Sequence, residues 1–256
     1  MTATSGLAPE TLDEARAKLL AAALPHVPFD GWSQATLRAA AADTGIDPAI
    51  ARAAFPRGGV DLALEFHRVG DRDLAEELAA GGLTHLRYSE RIAHAIRRRL
   101  EMAAPHKEAV RRAASLFALP LYAADGARAL WQTADTIWKG LGDSSTDYNW
   151  YTKRLTLSGV LSATILYWLG DDSEGSVRTW DFLDRRIADV MRVEKAKATL
   201  RENPLARIAL AGPRALLSLI RAPGSRTWEG PGPGLPGTEF PDKMGPGLSP
   251  QPPNSA

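Results

Sequence analysis

Apolar residues recur every three or four positions along most of the chain, as they do on one face of an α-helix. In residues 9–23, for example, Leu12, Leu19 and Ala22 share one face, and Pro25 ends the helix. Long alternation of apolar and polar residues, which predicts strands, does not occur, and Val and Ile are sparse. The pattern predicts an all-α bundle of about nine or ten helices.

Start and stop signals set the helix boundaries. Ser33 is the expected N-cap of a helix to Asp43, and Asp47-Pro48 begins a short helix to Phe55. Longer helices are predicted over residues 60–80, 84–103, 106–119, 124–141, 145–169 and 173–201.

These elements group into four predicted parts. Residues 9–80 form a degenerate helix-turn-helix-like region, 83–202 a helical ligand-binding region, and 204–222 an amphipathic helix. The last 34 residues, 223–256, contain 7 Gly and 9 Pro. Such a composition cannot bury enough apolar surface to offset the entropy of ordering, so the sequence predicts a disordered tail.

The helix order over residues 32–67 resembles the N-terminus of TetR-type transcriptional regulators. A DNA reader presents cationic and amide side chains to phosphates and bases. Here residues 47–55 offer Arg52 alone, and residues 1–82 carry 7 basic and 12 acidic residues, a net charge of −5. Because phosphate neutralisation supplies most non-specific DNA affinity, we predict no nucleic-acid binding. A ligand-responsive TetR-type regulator is the alternative.

Basic residues are concentrated elsewhere, although the whole chain carries a net charge of only +1. Residues 83–115 and residues 192–221 each carry +5. Both segments are candidates for contact with anionic surfaces.

Catalytic and metal chemistry have no signal in the sequence. The absence of Cys excludes disulfides and thiolate metal sites. A helical di-iron site needs paired Glu-x-x-His motifs, whereas Glu90 and His94 are one residue too far apart and have no second copy. Neither a glycine-rich phosphate loop after a strand nor a nucleophile elbow occurs. We therefore predict a protein that is not an enzyme and has no cofactor.

The segment from Gly142 to Arg154 contains three aromatic residues within four positions, Tyr148, Trp150 and Tyr151. On a helix they point in different directions, so at least one faces solvent or a partner, unless neighbouring helices bury several sides. Exposed aromatic residues beside charges are typical interface anchors. The predicted partner-binding residues are Asp147, Trp150, Tyr151 and Lys153.

Residues 142–154 read Gly-Asp-Ser-Ser-Thr-Asp-Tyr-Asn-Trp-Tyr-Thr-Lys-Arg. This stretch resembles, at every position, the signature of the Coq-nine family of ubiquinone (coenzyme Q) biosynthesis accessory proteins. Three other blocks resemble that family in the expected order, namely Gly31-Trp32, residues 55–59 and residues 179–187. The likeness covers residues 10–222.

The resemblance implies a TetR-like fold without DNA-binding duty, an apolar cavity for an isoprenoid lipid, and a C-terminal helix that touches a membrane. It also implies that the surface around Trp150 and Tyr151 engages the demethoxyubiquinone hydroxylase. The expected function is non-catalytic: the protein extracts an isoprenoid quinone precursor and presents it to that hydroxylase, most simply as a homodimer.

Helices between residues 110 and 190 mix large and small apolar side chains, which either pack tightly or leave a tunnel. With the resemblance, they predict a lipid site. The predicted lipid-binding residues are Leu116, Phe117, Leu130, Trp131, Ile137, Trp138, Leu155, Gly159, Ser162, Ala163 and Leu166.

The stretch 204–222 has the pattern of a helix that lies in a membrane surface. Arg207, Arg214 and Arg221 recur every seven residues and form one stripe, while aliphatic residues occupy much of the remaining circumference. Pro213 interrupts the helix. The predicted membrane-binding residues are Leu205, Arg207, Ile208, Arg214, Leu216, Leu217, Ile220 and Arg221.

The expected location follows from sequence composition. No apolar run approaches the roughly 20 residues of a membrane-spanning helix. Residues 1–10 lack the features of a signal or transit peptide. We expect a bacterial cytoplasmic protein that is peripheral to the inner membrane.

Overall fold

The computed structural model describes residues 9–146 and 148–202, with side chains described for residues 12–146 and 148–193. Within these ranges the fold is all-α and contains no strand, as predicted. The helices are α1 (Pro9–Ala23), α2 (Val27–Asp30), α3 (Gln34–Thr44), α4 (Pro48–Ala54), α5 (Gly59–Ala79), α6 (Tyr88–Ala103), α7 (Lys107–Phe117), α8 (Ala123–Gly140), α9 (Tyr148–Gly170) and α10 (Val177–Glu202).

The N-terminal boundaries follow the capping signals in the sequence. The Ser33 hydroxyl accepts a hydrogen bond from the backbone N–H of Thr36 at 3.2 Å and so caps α3. The Asp47 carboxylate accepts one from the N–H of Ala49 at 2.6 Å and caps α4. Both predicted helix starts are confirmed, whereas the short helix α2 was not predicted.

Three later helices begin three or four residues after their predicted start. The helix predicted from residue 173 begins at Val177, after a 3-10 turn over Glu174–Ser176. The helix predicted from residue 84 begins at Tyr88, because the Glu90 carboxylate accepts a hydrogen bond from the N–H of Arg87 at 2.9 Å. The helix predicted from residue 145 begins at Tyr148. There the Ser145 hydroxyl donates to Asp143 at 2.8 Å and so takes part in a loop network.

Two apolar clusters form the core of the described residues. The first unites α1 to α5 around Leu19, Leu37 and Phe55. The second unites α5, α6, α8, α9 and α10 around Ile96 and other fully buried residues. Because α5 contributes to both clusters, it links the helix-turn-helix-like region to the helices of residues 83–202.

The first two family-like blocks form part of this link. The Trp32 indole Nε1 donates to the carbonyl of Ala109 on α7 at 2.9 Å, and its ring lies 5.5 Å from that of Phe66 on α5. Gly58 has φ +63°, a conformation that favours glycine. At Gly59 a Cβ would lie 2.3 Å from the Trp32 carbonyl, so glycine allows α5 to start directly against the backbone of Trp32.

Part of the positive charge of the basic segment 83–115 is paired with carboxylates within the fold. Arg98 pairs with Glu77 and Glu101, and Arg99 pairs with Asp71. The other cations of the segment bond to backbone carbonyls, to acidic neighbours on their own helix or to an indole ring, and these are Arg87, Arg91, Arg97, Lys107, Arg111 and Arg112.

Part of the sequence-based account lies outside the described residues. This applies to Asp147, to the stretch 204–222 and to the tail 223–256. It includes the interruption at Pro213 and all predicted membrane-binding residues, namely Leu205, Arg207, Ile208, Arg214, Leu216, Leu217, Ile220 and Arg221. Among the helices that the structure does describe, none has the length and apolarity needed to cross a membrane.

We predict that Gly59→Ala lowers the free energy of unfolding by about 2 kcal/mol, because the new Cβ overlaps the Trp32 backbone. The matched control is Gly159→Ala on α9, where a Cβ meets nothing within 4 Å. That change should raise stability by about 0.5 to 1 kcal/mol through helix propensity. Thermal unfolding followed by circular dichroism measures both, and equal effects of the two changes would contradict the close-approach role of Gly59.

Candidate functional site

The buried guanidinium of Arg154 lies at the centre of the family-like signature. Arg154 is 1% exposed. Its Nε donates to Asp135 on α8 at 2.7 Å, and its Nη1 donates to Asp143 in the preceding loop at 3.2 Å. The signature therefore ties the loop and α9 to α8.

Asp143 is the second hub of this network. Its carboxylate also accepts hydrogen bonds from the Lys153 ammonium at 2.7 Å and from the Ser145 hydroxyl at 2.8 Å. Burial acts to raise the pKa of Asp143, but the hydrogen bonds from Lys153 and Ser145 outweigh it, so the pKa lies below its ordinary value. The carboxylate stays ionised and holds the loop at neutral pH.

An aromatic patch lies beside this network, formed by Trp131 of α8 with Trp150 and Tyr151 of α9. The Trp150 ring centroid lies 5.7 Å from that of Trp131 and 4.8 Å from that of Tyr151. The Arg154 guanidinium lies 4.0 Å from the Trp150 centroid. Tyr151 is 37% exposed and Trp150 is half-buried, so the patch presents aromatic surface on a buried ionic support.

Lys153, one of the predicted partner-binding residues, has its ammonium paired with Asp143 and lying 5.3 Å from the Trp138 ring centroid. Its charge is therefore balanced within the chain, and its role in partner binding stays a prediction.

An apolar groove of about 390 Å³ runs between α5, α7, α8 and α9. It brings together four of the predicted lipid-binding residues, Phe117, Leu130, Ser162 and Leu166. A smaller inner chamber of about 50 Å³ shares some of its wall, including Leu130, and lies deeper among α5, α6, α7, α8 and α9.

The inner chamber contains polar residues that the sequence analysis did not single out. His67, Arg99 and Thr133 line it among apolar side chains. The i,i+4 spacing of His67 and Asp71 on α5 was the available signal, but the partners Arg99 and Thr133 lie on other helices. Sequence alone assigned Arg99 to a basic segment and did not indicate that it is buried.

A separate cavity of about 220 Å³, on another side of the bundle from the groove, lies between α6, α8, α9 and α10. Trp138 and Lys153 belong to its wall. The buried indole Nε1 of Trp138 has no hydrogen-bond partner among the described residues.

The remaining predicted lipid-binding residues do not share one site, because α8 and α9 each contact several neighbours. Ile137 is fully buried in the second core cluster. Leu116 packs against the first cluster, and Trp131 belongs to the aromatic patch. Three others are absent from the walls of the cavities described above, namely Leu155 and Gly159, which are exposed, and the half-buried Ala163.

The last family-like block supports the start of α10. The Asp171 carboxylate accepts hydrogen bonds from the N–H and the hydroxyl of Thr179, at 2.9 and 2.6 Å. These bonds hold the pKa of Asp171 well below its ordinary range. Within the described residues, no group of three or more His, Cys, Asp or Glu side chains is arranged to hold a metal ion.

We predict that Arg154→Met lowers the free energy of unfolding by about 3 kcal/mol or more, because it leaves the buried Asp143 without this cation. The control is Lys139→Met. Lys139 pairs with the same Asp135 at 2.8 Å but has a 71% exposed side chain, so its loss should cost less than about 1 kcal/mol. Urea unfolding of both variants measures the difference, and similar costs would contradict the hub role of Arg154.

Comparison with solved structures confirms the predicted TetR-like fold. The chain is similar to a TetR transcriptional regulator from Nitrosomonas europaea, with a TM-score of 0.57 and 21% sequence identity. The match covers 69% of this chain and 97% of the regulator. At this identity the likeness shows the fold alone.

Comparison with known sequences shows the family. Residues 123–194 match the COQ9 family profile. The chain is 34% identical over 187 residues to the "Ubiquinone biosynthesis protein COQ9, mitochondrial" of Drosophila melanogaster, covering 72% of this chain and 57% of that protein. For the human protein of the same name the identity is 32% over 191 residues, covering 72% and 60%. For COQ9-B of Xenopus laevis it is 30% over 220 residues, covering 83% and 72%.

These names correct the expected location. The relatives are called mitochondrial, so the expectation of a bacterial cytoplasmic protein peripheral to the inner membrane is wrong. It relied on the composition of residues 1–10, which is no measure of location for a chain that spans about 57 to 61% of the length of the Drosophila and rat relatives.

The four motif blocks, the helical fold and the sequence identity over most of the chain lead to the same assignment. The chain belongs to the COQ9 family of ubiquinone biosynthesis proteins.

Proposed function

We propose that this chain is a non-catalytic lipid-binding protein, which extracts an isoprenoid quinone precursor from a membrane and presents it to the demethoxyubiquinone hydroxylase. The observation that carries the proposal is the apolar groove of about 390 Å³ between α5, α7, α8 and α9. Its volume lies in the range of about 300 to 1,000 Å³ that is typical of small-molecule sites. The COQ9 relatives are named for ubiquinone biosynthesis, and an isoprenoid precursor of that quinone is the ligand proposed for the groove.

The energetic basis is the transfer of a prenyl tail from one apolar phase to another. Each buried CH₂ contributes about 0.8 kcal/mol relative to water. A groove that covers several isoprene units therefore competes with the bilayer for the tail, and the protein promotes the pathway without bond chemistry of its own.

Exposed aliphatic residues on α9 suit exchange of such a ligand with another apolar phase. Leu166 is 63% exposed and belongs to the wall of the groove, so it lies at an edge where a tail can enter. Leu155 is 67% exposed on the same helix. These residues are also candidates for contact between two copies of the chain, and the homodimer stays a prediction that sedimentation analysis tests.

The aromatic patch of Trp131, Trp150 and Tyr151 is the proposed contact with the hydroxylase. Half-buried aromatic residues on a rigid support lose little entropy on binding, which is a property of hot-spot residues. The ion pairs of Arg154 supply that support beneath Trp150. No nucleic-acid partner is proposed, because the helix-turn-helix-like region is acidic.

We predict that Ser162→Trp reduces binding of a fluorescent isoprenoid analogue at least tenfold, because the indole occupies the groove. The control is Gly159→Trp on the same helix, at an exposed position where a Cβ meets nothing within 4 Å. It adds the same side chain outside the groove and should bind the analogue like the wild type. Equal loss in both variants, or none in either, would rule out this groove as the lipid site.

Replacement of Trp150 by Ala should weaken binding to the hydroxylase by about 2 kcal/mol or more, since it removes the centre of the patch. Tyr167→Ala is the control, because Tyr167 is similarly exposed on α9 but stacks on Phe182, away from the patch. Surface plasmon resonance measures both affinities. A normal affinity for Trp150→Ala with intact folding would move the docking site elsewhere.

The segment 204–222 is proposed, from sequence alone, to attach the protein to an anionic membrane surface. Full-length protein should float with anionic vesicles, and less so at high salt, because each Arg or Lys near such a surface contributes on the order of 1 kcal/mol. A chain that ends at Asn203 should stay in solution. Flotation of both chains to the same extent would remove this role from the segment.

A further inference from the structure

The inner chamber, at the deep end of the groove, contains a hydrogen-bonded cluster that starts from Asp71 on α5. The Arg99 Nε donates to Asp71 at 2.9 Å, and the Thr133 hydroxyl is 2.8 and 3.0 Å from the two oxygens of the same carboxylate. Arg99 also donates from Nη2 to the backbone carbonyl of His67 at 3.0 Å. The cluster therefore joins α5, α6 and α8. The Asp71 carboxylate can only accept hydrogen bonds, so it sets the direction in which Arg99 and Thr133 donate.

This direction fixes the tautomer of His67. Thr133 has one hydroxyl hydrogen, which it donates to Asp71 because a carboxylate only accepts. The 2.7 Å contact between Thr133 Oγ1 and His67 Nε2 then requires the ring to donate from Nε2. The Ala129 carbonyl, 3.1 Å from the same nitrogen, is consistent with an N–H there.

The second ring nitrogen, Nδ1, is consequently a hydrogen-bond acceptor. Burial lowers the pKa of His67, so the ring is neutral at physiological pH and Nδ1 carries a lone pair. Among the described residues, Nδ1 has no hydrogen-bond partner, and it is not sealed inside the protein. The side chain of His67 is 20% exposed and forms part of the wall of both the groove and the inner chamber.

We propose that Nδ1 of His67 accepts a hydrogen bond from a hydroxyl group of the bound lipid, so that the site selects prenylated phenols and hydroquinones. This inference rests on the proposed lipid-binding function and names the ligand class of the same groove: the quinone precursor binds in its reduced, hydroquinone form, which carries the ring hydroxyl groups that a quinone lacks. A hydroxyl group can donate to Nδ1 and accept from the guanidinium of Arg99, which also lines the chamber. A carbonyl or ether oxygen can accept from Arg99 but has no hydrogen to donate, so it would bring its lone pairs against that of Nδ1.

The apolar surroundings make this selection effective. Apart from the polar cluster, the chamber is lined by hydrocarbon side chains such as Leu100, Val110 and Leu161. A polar group left without a partner there loses its hydrogen bonds to water and gains nothing in return.

The test compares ligands that differ at one oxygen. Binding of farnesylphenol, its O-methyl ether and farnesylbenzene to the full-length protein is measured by tryptophan fluorescence. The wild type should bind the phenol about fivefold or more tightly than either analogue. In His67→Gln the amide nitrogen replaces Nε2 and keeps its donor role, but no acceptor remains at the position of Nδ1. This variant should bind all three ligands with similar affinity.

Each outcome separates the inference from the function on which it rests. If the wild type binds all three ligands equally, the role of His67 is overturned while lipid binding stands. A preference that persists in His67→Gln would also overturn it, because a size effect of the methyl group does not need Nδ1. Farnesylbenzene is smaller than the phenol, so equal binding of these two ligands by the wild type overturns the inference even if the variant does not fold. Failure of all three ligands to bind the wild type would reject the proposed function itself.

Discussion

The pairing of α8 with α9 depends on a buried cation held between two carboxylates. Arg154 is hydrogen-bonded to Asp135 on α8 and to Asp143 in the loop before α9. The side chains of Arg154 and Asp143 are each only 2% exposed, and that of Asp135 is 21% exposed. Breaking one such contact leaves a buried charge unpaired, which is far more costly than losing a surface pair. This constraint fixes the aromatic patch above Arg154 and sets the separation of α8 and α9, between which the groove lies.

The same fold explains how a regulator-like scaffold serves another purpose. The helix-turn-helix-like region is tied to α7 by Trp32 and to α5 by the Gly58-Gly59 turn, so it acts as a packed end of the bundle. Its acidic charge favours neither phosphates nor bases. The space that separates α7 from α9 is the groove, and a buried polar cluster closes its inner end.

The sequence predicted most accurately the features that depend only on neighbouring residues, such as helix caps and helix ends. The caps at Ser33 and Asp47 and the end of α1 at Ala23 follow from residues within one turn, and the structure has them as predicted. Prediction was less successful where a residue's role depends on a distant helix. The burial of Arg154, the pairing of Lys153 with Asp143 and the division of the predicted lipid-binding residues among several sites depend on tertiary packing. Spacing along one helix places residues on a face, but it does not say which neighbour covers that face.

The central claim is that this COQ9-family protein carries an isoprenoid lipid in the groove between α5, α7, α8 and α9. The most direct measurement is extraction of the purified full-length protein with organic solvent, after incubation with vesicles that contain a prenylated quinone precursor. Mass spectrometry then identifies and counts the lipid. The account predicts close to one isoprenoid molecule per chain. A protein that returns from the vesicles without isoprenoid lipid, while folded, would contradict it.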